Sequence, residues 1–410
     1  MEERKKGSGT LVVILCALYI FCLKGGFQAQ YAVYGYQTEM LGISLVQLGA
    51  AGSVFSIIGV ACSVIAAPLY KKFSPKVFMV ISPIFIALFG FLYGNFQGVM
   101  PVYAANIFAS IACSIGAIMA ISAVLVNWFG KDAATRVAIC IGFQSIGGGT
   151  FQTIAGQMYT AVGIESIFRI LIPVCMIVAL AAALLVKVKP NDYLKVATVN
   201  GPTKSAEKAK PANLKNFYKS PAVWLFFLAS LTAYFCTSVL SSFFTKYFPQ
   251  FGAIDVATAA TWLSAMTIIA GLWNIFGAKF TLKKFGIRVY VFLIHGCVFV
   301  ACGLAILYAK MPSIILLAVI VITGAIATTC YAFYAIAAPQ LFPQNSVEAV
   351  TKGEAANRIG GIIGPTVVNA VIASSVGYTG GFTMCIIAAA LSMVIYSMMF
   401  ILEGKKGKQS

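Results

Sequence analysis

The octapeptide KKFSPKVF stands at residues 71–78, and the similar octapeptide KKFGIRVY stands at residues 283–290. Each follows an apolar stretch long enough to cross a bilayer as a helix, and the two share their basic and aromatic positions. Basic turns between membrane helices are typical of the cytoplasmic side. The same turn at equivalent places in the two halves of the chain therefore predicts a duplicated helical membrane unit.

Apolar stretches extend outward from these turns along the whole chain. Hydrophobic residues make up 60% of the 410 residues and charged residues only 10%, against about 25% charged residues in soluble domains. A transmembrane helix needs about 20 apolar residues, and the first stretch is as long as a full span rather than a cleaved signal peptide. We predict an all-α membrane protein with twelve transmembrane helices in two pseudo-symmetric six-helix halves. The twelve stretches are residues 11–34, 45–68, 77–93, 99–126, 137–162, 168–186, 222–244, 257–276, 289–308, 314–338, 355–376 and 382–402.

One long polar segment separates the two sets of six stretches. Residues 188–219 are rich in proline and lysine, which is typical of a flexible linker. We therefore expect an N-terminal half at residues 1–187, a basic cytoplasmic linker at 188–219 and a C-terminal half at 220–410. A glycine pair in the fifth stretch, at 147–148, and another in the eleventh, at 360–361, support the duplication.

The residues behind the net charge of +18 follow the predicted arrangement of loops on the two sides of the membrane. If the N-terminus lies in the cytoplasm, the lysines and arginines gather on cytoplasmic loops, which is the bias that orients membrane proteins. The exceptions among the 29 are Arg169, Lys246 and Lys310 near the outer face, and Lys24 and Arg358 within spans. We expect a cell (inner or plasma) membrane location, both termini cytoplasmic, membrane lipid as a partner and no nucleic-acid partner, since the chain has no basic soluble domain.

The sequence offers little for catalysis or for a cofactor. It has one histidine, no HxxxxD or DxD motif, and no nucleotide-binding G-x-x-x-x-G-K-[ST] loop. The eleven cysteines lie in apolar stretches without a CxxC pair, and small-residue packing explains them. We expect no enzyme activity, no cofactor and no metal site, and transport driven by a gradient or by exchange.

The turn at residues 67–76, APLYKKFSPK, resembles the G-x-L-x-D-R-x-G-R-[KR] loop between helices two and three of the major facilitator superfamily. Leu69, Lys72 and Lys76 fit that pattern. Lys71 stands where the family has its acidic residue, so the usual charged latch is missing here. The resemblance covers nearly the whole chain and implies a transporter whose halves rock around a substrate near the midplane.

Two further segments resemble the oxalate/formate antiporter and monocarboxylate transporter branches. They are NWF at 127–129, followed by Arg136 and the glycine pair at 147–148, and KSPAVW at 219–224. The resemblance implies that Arg358 in helix eleven binds substrate and that Tyr331 is a cavity tyrosine. The cation of helix eight in the oxalate/formate type has no counterpart in WNIF at 273–276, so a lysine of helix one, Lys24, would supply the second charge.

Lys24 is the sharpest candidate from the residues themselves. It lies mid-way along the first stretch, where a cation costs about 2.5 kcal/mol or more. The alternative is a lysine whose chain reaches to an interface. Gln28 lies one turn on, with Tyr31 on the same helix, and either residue would hydrogen-bond a carboxylate or make a helix–helix contact.

Four other candidates have alternative structural readings. Arg358 would bind an anion or lie at the cytoplasmic interface, and Gln144 and Asn357 would bind substrate or join helices. His295 would couple protons or stay neutral and packed.

The substrate's charge follows from the acidic residues. None of the eleven Asp and Glu residues lies deep in a predicted span, while Lys24 and Arg358 do. We expect a small-molecule substrate, an organic anion such as a mono- or dicarboxylate, moved by alternating access as antiporter or symporter by a functional monomer. The alternative is an efflux carrier for hydrophobic or amphipathic compounds, in which both cations are structural. A membrane enzyme, receptor or channel fits less well.

Overall fold

The computed structural model describes residues 2–129, 133–188, 217–333, 341–342 and 346–406. Every element of secondary structure in these ranges is helical. The helices group into twelve spans, which we number α1 to α12 in chain order. The predicted twelve-helix fold is confirmed, and the predicted spans coincide with these helices, except that residues 334–338 at the end of the tenth predicted span lie outside the described residues.

The first six spans occupy the N-terminal part of the chain. They are α1, Glu2–Gln28, continued by the 3₁₀ segment Ala29–Tyr36; α2, Leu45–Lys72; α3, Pro75–Asn95; α4, Val99–Ile111 and Ile118–Phe129, joined by the π turn Ala112–Gly116; α5, Ala133–Val162; and α6, Ile172–Leu185, preceded by the π turn Ile167–Leu171.

The second six spans include more interruptions. They are α7, Pro221–Thr232 and Ser238–Tyr247; α8, Val256–Leu272, continued by the π turn Trp273–Gly277; α9, the part of Ala278–Tyr308 that follows Gly286; α10, Ile314–Ala327, continued by the 3₁₀ turn Thr328–Ala332; α11, Ser346–Ala373; and α12, Gly377–Lys406.

Seven helical segments of the described chain have at least 18 residues and enough hydropathy to cross a membrane by themselves. Spans α7, α8 and α10 contain shorter apolar helices of 10–17 residues. Their interruptions, together with the polar residues of α5 and α11, keep these spans below that threshold. The seven segments are Gly9–Leu41, Leu45–Cys62, Pro75–Asn95, Val99–Leu125, Ile167–Leu185, Lys284–Tyr308 and Gly377–Leu402.

The two duplicated basic turns are stabilised in different ways, the first by a serine cap and the second by a glycine. In the first, Ser74 caps α3 by accepting a hydrogen bond from the backbone N–H of Lys76 at 3.3 Å, and Pro75 takes the first helical position. In the second, Gly286 stands in the place of Ser74 and has a φ of 79°, a left-handed conformation that favours glycine. Both devices end one helix and start the next at the same point of the repeat.

Backbone contacts divide the chain into two compact units. The first comprises Met1–Val199 with Ser242–Leu272, and the second comprises Asn200–Ser241 with Trp273–Ser410. The last part of α7 and α8 thus pack with the first six spans. The predicted linker 188–219 falls almost entirely outside the described residues. The predicted halves, 1–187 and 220–410, stay a prediction.

In the first unit, α1 and α5 approach until their backbones touch. A Cβ added to Gly25 would lie 2.6 Å from the carbonyl carbon of Gly147, and one added to Gly147 would collide with the carbonyl oxygen of Phe21. The ring of Phe21 packs edge-on against Phe151, with centroids 5.3 Å apart. Only glycine allows this approach, which is how small residues bring membrane helices together.

The second unit repeats this packing between α7 and α11. A Cβ on Gly360 would collide with the carbonyl oxygen of Leu231, and one on Gly364 would collide with the ring of Tyr234. The sequence around the glycine pairs is QSIGG at 144–148 and NRIGG at 357–361. The glycine echo between the halves therefore marks the same close helix pair in each repeat.

We predict that Gly147→Ala destabilises the protein, because the new methyl group meets the backbone of Phe21 and the helices must separate. Overpacking of this kind costs about 1–3 kcal/mol. The measurement is the thermal melting temperature and the monodisperse yield of the purified protein in detergent.

Gly296→Ala in α9 is the matched control. Its new methyl group would meet no neighbouring heavy atom within 4 Å outside its own helix turn, and alanine favours a helix over glycine by up to about 1 kcal/mol. Its melting temperature should equal or exceed that of the parent protein. Equal melting temperatures for the Gly147 and Gly296 variants would contradict the packing argument.

Candidate functional site

Lys24 lies on α1 beside the glycine contact, with its side chain half-buried. Its Nζ is 5.9 Å from the centroid of the Phe27 ring, which is at the outer limit of a cation–π contact. No ion pair to Lys24 occurs among the described residues. The structure therefore places a lysine at membrane depth without a carboxylate partner in that part of the chain.

Rigid aromatic packing supports the helix at this point. Phe27 is 4% exposed and stacks on Phe55 at 5.7 Å. A chain of ring contacts continues from Phe27 to Phe89 at 5.2 Å, to Tyr93 at 4.4 Å and to Phe168 at 5.2 Å. Aromatic contacts of this geometry stabilise by about 0.5–1.5 kcal/mol each beyond their burial. They fix the position of α1 around Lys24.

Gln28 lies one helical turn after Lys24, as the sequence predicted. Its Oε1 is fully buried against Gly148 and has no hydrogen-bond partner among the described residues, although the side chain as a whole is only half-buried. The open side of this amide is thus its Nε2 end, which carries two N–H donors. Lys24 and Gln28 together present hydrogen-bond donors on the same side of α1.

Tyr31 continues this side of the helix where α1 tightens into its 3₁₀ segment. The half-buried ring lies 6.4 Å from the ring of Phe27 and 6.4 Å from the ring of Tyr34. Lys24, Gln28 and Tyr31 are spaced by four and three residues, so they share one face. The structure brings these three predicted residues together.

A polar stripe on α5 extends the site. Gln144 is half-buried, and Gln152 is 4% exposed. Between them, Gly148 contacts the side-chain oxygen of Gln28. The hydroxyl of Thr267 on α8 donates to Gln152 Oε1 at 3.0 Å. Gln152 and Thr267 were not predicted, but the four-residue spacing of Gln144, Gly148 and Gln152 was a visible signal for one helix face.

Asn357 and Arg358 lie on α11 in the second unit, three and two residues before Gly360, which contacts α7. Asn357 is 1% exposed and Arg358 is half-buried. Within the repeat, Asn357 occupies the place of Gln144, and Arg358 occupies the place of Ser145. Tyr331 lies in the 3₁₀ turn after α10, and its side chain falls outside the described part of the chain.

His295 is buried in α9, with 1% exposure. Its Nδ1 is 2.8 Å from the carbonyl oxygen of Val291, and its Nε2 is 2.9 Å from the hydroxyl of Ser392. A carbonyl only accepts, so Nδ1 carries the proton and Nε2 accepts from Ser392. This arrangement suits a neutral, packed imidazole, the alternative to proton coupling.

Lys246, at the end of α7, ties that helix to the 3₁₀ end of α1. Its Nζ donates to the carbonyl oxygen of Gly35 at 2.6 Å and lies 3.7 Å from a carboxylate oxygen of Glu39. The hydroxyl of Tyr36 donates to the carbonyl oxygen of Thr245 at 3.2 Å. These contacts join the end of α7 to the 3₁₀ end of α1 within the first unit.

The carboxylates with described side chains are Glu39, Glu165 and Asp255, and all three are exposed or partly exposed at helix ends. Glu165 pairs with Arg169 at 3.1 Å. Asp255 accepts a hydrogen bond from the backbone N–H of Thr258 at 2.7 Å, and hydrogen bonds from Thr258 lower the pKa of this carboxyl. Among the described side chains, the spans hold cations but no carboxylate.

Comparison with solved structures shows the fold. The crystal structure of nucleoside transporter NupG matches with a TM-score of 0.73 and 16% identity, covering 96% of this chain and 98% of that chain. A D-xylose-proton symporter matches with a TM-score of 0.71 and 14% identity, covering 94% and 96%. A bacterial homolog of the human lysosomal transporter Spinster, in an inward-facing and unoccupied conformation, matches with a TM-score of 0.71 and 13% identity, covering 96% and 97%.

No curated protein sequence matches the chain closely enough to be called a relative. The sequence profile of the Major Facilitator Superfamily, in contrast, matches residues 16–352. That range runs from α1 into α11, and the described residues within it have a helical fold that agrees with it. The protein is a multi-pass membrane transporter rather than an enzyme, and it belongs to the Major Facilitator Superfamily.

Proposed function

We propose that this transporter carries a small organic anion, a mono- or dicarboxylate, as an antiporter or symporter in the cell membrane. The observation that carries the proposal is Lys24, a half-buried lysine within α1 that has no carboxylate partner among the described residues. The oxalate/formate and monocarboxylate branches, which the sequence resembles, transport ligands of this chemistry.

The energetic cost of Lys24 supports a ligand role. A lysine at the centre of a membrane helix costs about 2.5–3.5 kcal/mol on insertion scales. Its contact with Phe27, at 5.9 Å, offsets only part of this cost, since exposed cation–π contacts contribute about 0.5–1 kcal/mol. A carboxylate bound at Lys24 would neutralise the charge during each transport cycle.

Gln28 adds hydrogen-bond donors to the proposed site. Its buried carbonyl leaves the Nε2 donors on the open side, next to the Lys24 ammonium. A carboxylate accepts hydrogen bonds and offers none, so a site of donors suits it. A cationic substrate would be favoured by a carboxylate here, and none of the described carboxylates pairs with Lys24.

Arg358 is proposed as a substrate-binding cation of the second unit, where it lies half-buried on α11. Tyr31, Gln144, Asn357 and Tyr331 are proposed as neutral contributors. His295 is less suited to proton coupling, since both of its ring nitrogens are already engaged. This favours exchange of anions over a proton symport routed through that residue.

A second candidate substrate is an uncharged polar solute. The structural neighbours include a nucleoside transporter and a D-xylose-proton symporter. The stripe of Gln144 and Gln152 with Thr267 would suit hydroxyl groups. For such a solute, Lys24 would have only a structural role. The effect on transport of removing the Lys24 charge therefore distinguishes the two candidate substrates.

We predict that Lys24→Ala lowers uptake of labelled carboxylates into proteoliposomes by about 10–100-fold. The reason is the loss of a charge-assisted hydrogen bond, which contributes about 1.5–3 kcal/mol. The measurement is uptake across a panel of mono- and dicarboxylates, with and without internal counter-substrate, which separates exchange from symport.

Lys310→Ala is the matched control, since Lys310 is exposed in the turn after α9. Its uptake should equal that of the parent protein. Unchanged carboxylate uptake by the Lys24 variant, or transport of nucleosides, sugars or hydrophobic cations instead of anions, would exclude the proposed substrate.

We predict that Gln28→Glu abolishes anion uptake at pH 7.5 and restores part of it as the pH is lowered. The introduced carboxylate lies one turn from Lys24 and neutralises it in place of the substrate. Protonation at low pH removes that negative charge and returns a group similar to the parent amide. The measurement is initial uptake as a function of pH.

Gln157→Glu, at an exposed position of α5, is the control for a carboxylate placed elsewhere on the first unit. Its pH profile should follow that of the parent protein. A Gln28 variant with the parent's pH profile would show that Gln28 does not face the anion.

We also propose that both termini are cytoplasmic and that the monomer is functional. A C-terminal green fluorescent protein fusion should fluoresce in bacteria, and an alkaline phosphatase fusion should be inactive, because the basic loops orient the chain with this end inside. Active phosphatase at the C-terminus would reverse the orientation.

A further inference from the structure

We propose that Cys236, His295 and Cys330 bind a single thiophilic d¹⁰ cation, Zn²⁺ or Cu⁺, inside the second unit. A ligand atom from each of these residues lies within 4.8 Å of those from the other two. They come from α7, α9 and α10. No sequence pattern indicates this group, because the three residues are far apart in the chain and neither cysteine belongs to a CxxC pair.

The backbone is irregular where both cysteines stand. Cys236 lies in the turn between the two helices of α7, and Cys330 lies in the 3₁₀ turn that follows α10. These interruptions bring both thiols toward His295 on the regular helix α9. Cys236 and Cys330 are 0% and 1% exposed, so the group is dry.

His295 has the orientation that metal-binding histidines adopt. Its Nδ1–H donates to the carbonyl oxygen of Val291 at 2.8 Å, and a bond of this kind fixes the ring and leaves Nε2 as the ligand. Ser392 Oγ lies 2.9 Å from Nε2. This hydroxyl donates to the Nε2 lone pair, so a bound metal would displace that hydrogen bond. Because tetrahedral zinc ligands are about 3.3–3.8 Å apart, given bond lengths of about 2.0–2.3 Å, a shift of the hydroxyl by less than about 1 Å would then place it at the fourth position.

The donor set selects the class of cation. Thiolate and imidazole ligands prefer Zn²⁺ and Cu⁺ to Mg²⁺ or Ca²⁺, which prefer oxygen. Two thiolates, a neutral imidazole and Zn²⁺ have a net charge of zero, whereas any of the ions alone would be costly to bury. Binding of Zn²⁺ releases both thiol protons, whereas binding of Cu⁺ releases one, so that the site is neutral with either cation. Closure to bonding distance requires movements of about 1 Å, within the reach of side-chain rotation.

Such a cation would cross-link three helices of the second unit. Because it binds the folded state, it would raise the melting temperature in proportion to occupancy and affinity. This role is independent of the substrate proposed above, and its test uses metal content rather than transport.

The experiment uses the full-length protein, produced in medium supplemented with Zn²⁺ or Cu⁺, purified and desalted. We expect roughly one metal ion per chain by elemental mass spectrometry. X-ray absorption of the bound metal should show two sulfur ligands, at about 2.3 Å for zinc. The supplement that fills the site distinguishes Zn²⁺ from Cu⁺.

Cys236→Ser and Cys330→Ser should each lose the metal and the metal-dependent rise in melting temperature. Cys140→Ser, which changes a fully buried cysteine of the first unit, should retain both. The absorption spectrum of the parent protein decides the matter even if the serine variants do not fold. No bound metal with either supplement, only oxygen or nitrogen ligands, or an equal loss in all three variants would overturn the proposal.

Discussion

The contact between the backbones of α1 and α5, made at Gly25 and Gly147, sets the position of everything around Lys24. Lipid gives no hydrophobic reason for two helices to associate, so close van der Waals contact must hold them. Glycine permits that contact, and side chains that flank it are held at fixed places: Phe21 against Phe151, and the Gln28 amide against Gly148. The position of the α1 face that presents the Lys24 and Gln28 hydrogen-bond donors is a consequence of this packing.

The same constraint explains the duplication. In the second unit, Gly360 of α11 meets the backbone of α7 as Gly147 meets that of α1. The repeat preserved the geometry but not the chemistry. Gln144 corresponds to Asn357, a conservative exchange, whereas Ser145 corresponds to Arg358. Each unit thus has a cation within its spans, Lys24 on α1 in the first and Arg358 on α11 in the second.

Charge is the second organising factor. The described carboxylates stay at helix ends. Among the described spans, α1 holds Lys24, which has no carboxylate partner in the part of the chain that the structure describes. In the second unit, two thiols and one imidazole lie close together in the buried interior. Soft ligands can remain neutral until a cation displaces their protons, which makes them tolerable in a dry interior.

The sequence by itself determined the class of protein and the number of spans, because hydrophobic length and loop charge act locally along the chain. The superfamily was indicated by a resemblance in the turn at residues 67–76. The sequence also placed Gln28 one turn after Lys24, since helical spacing alone fixes that relation. Only the tertiary structure decided what each face meets. The burial of the Gln28 carbonyl on Gly148, the bond between Gln152 and Thr267, and the meeting of Cys236, His295 and Cys330 all depend on contacts between helices distant in sequence. No local pattern encodes such contacts, because they arise from the depth and rotation at which whole helices pack.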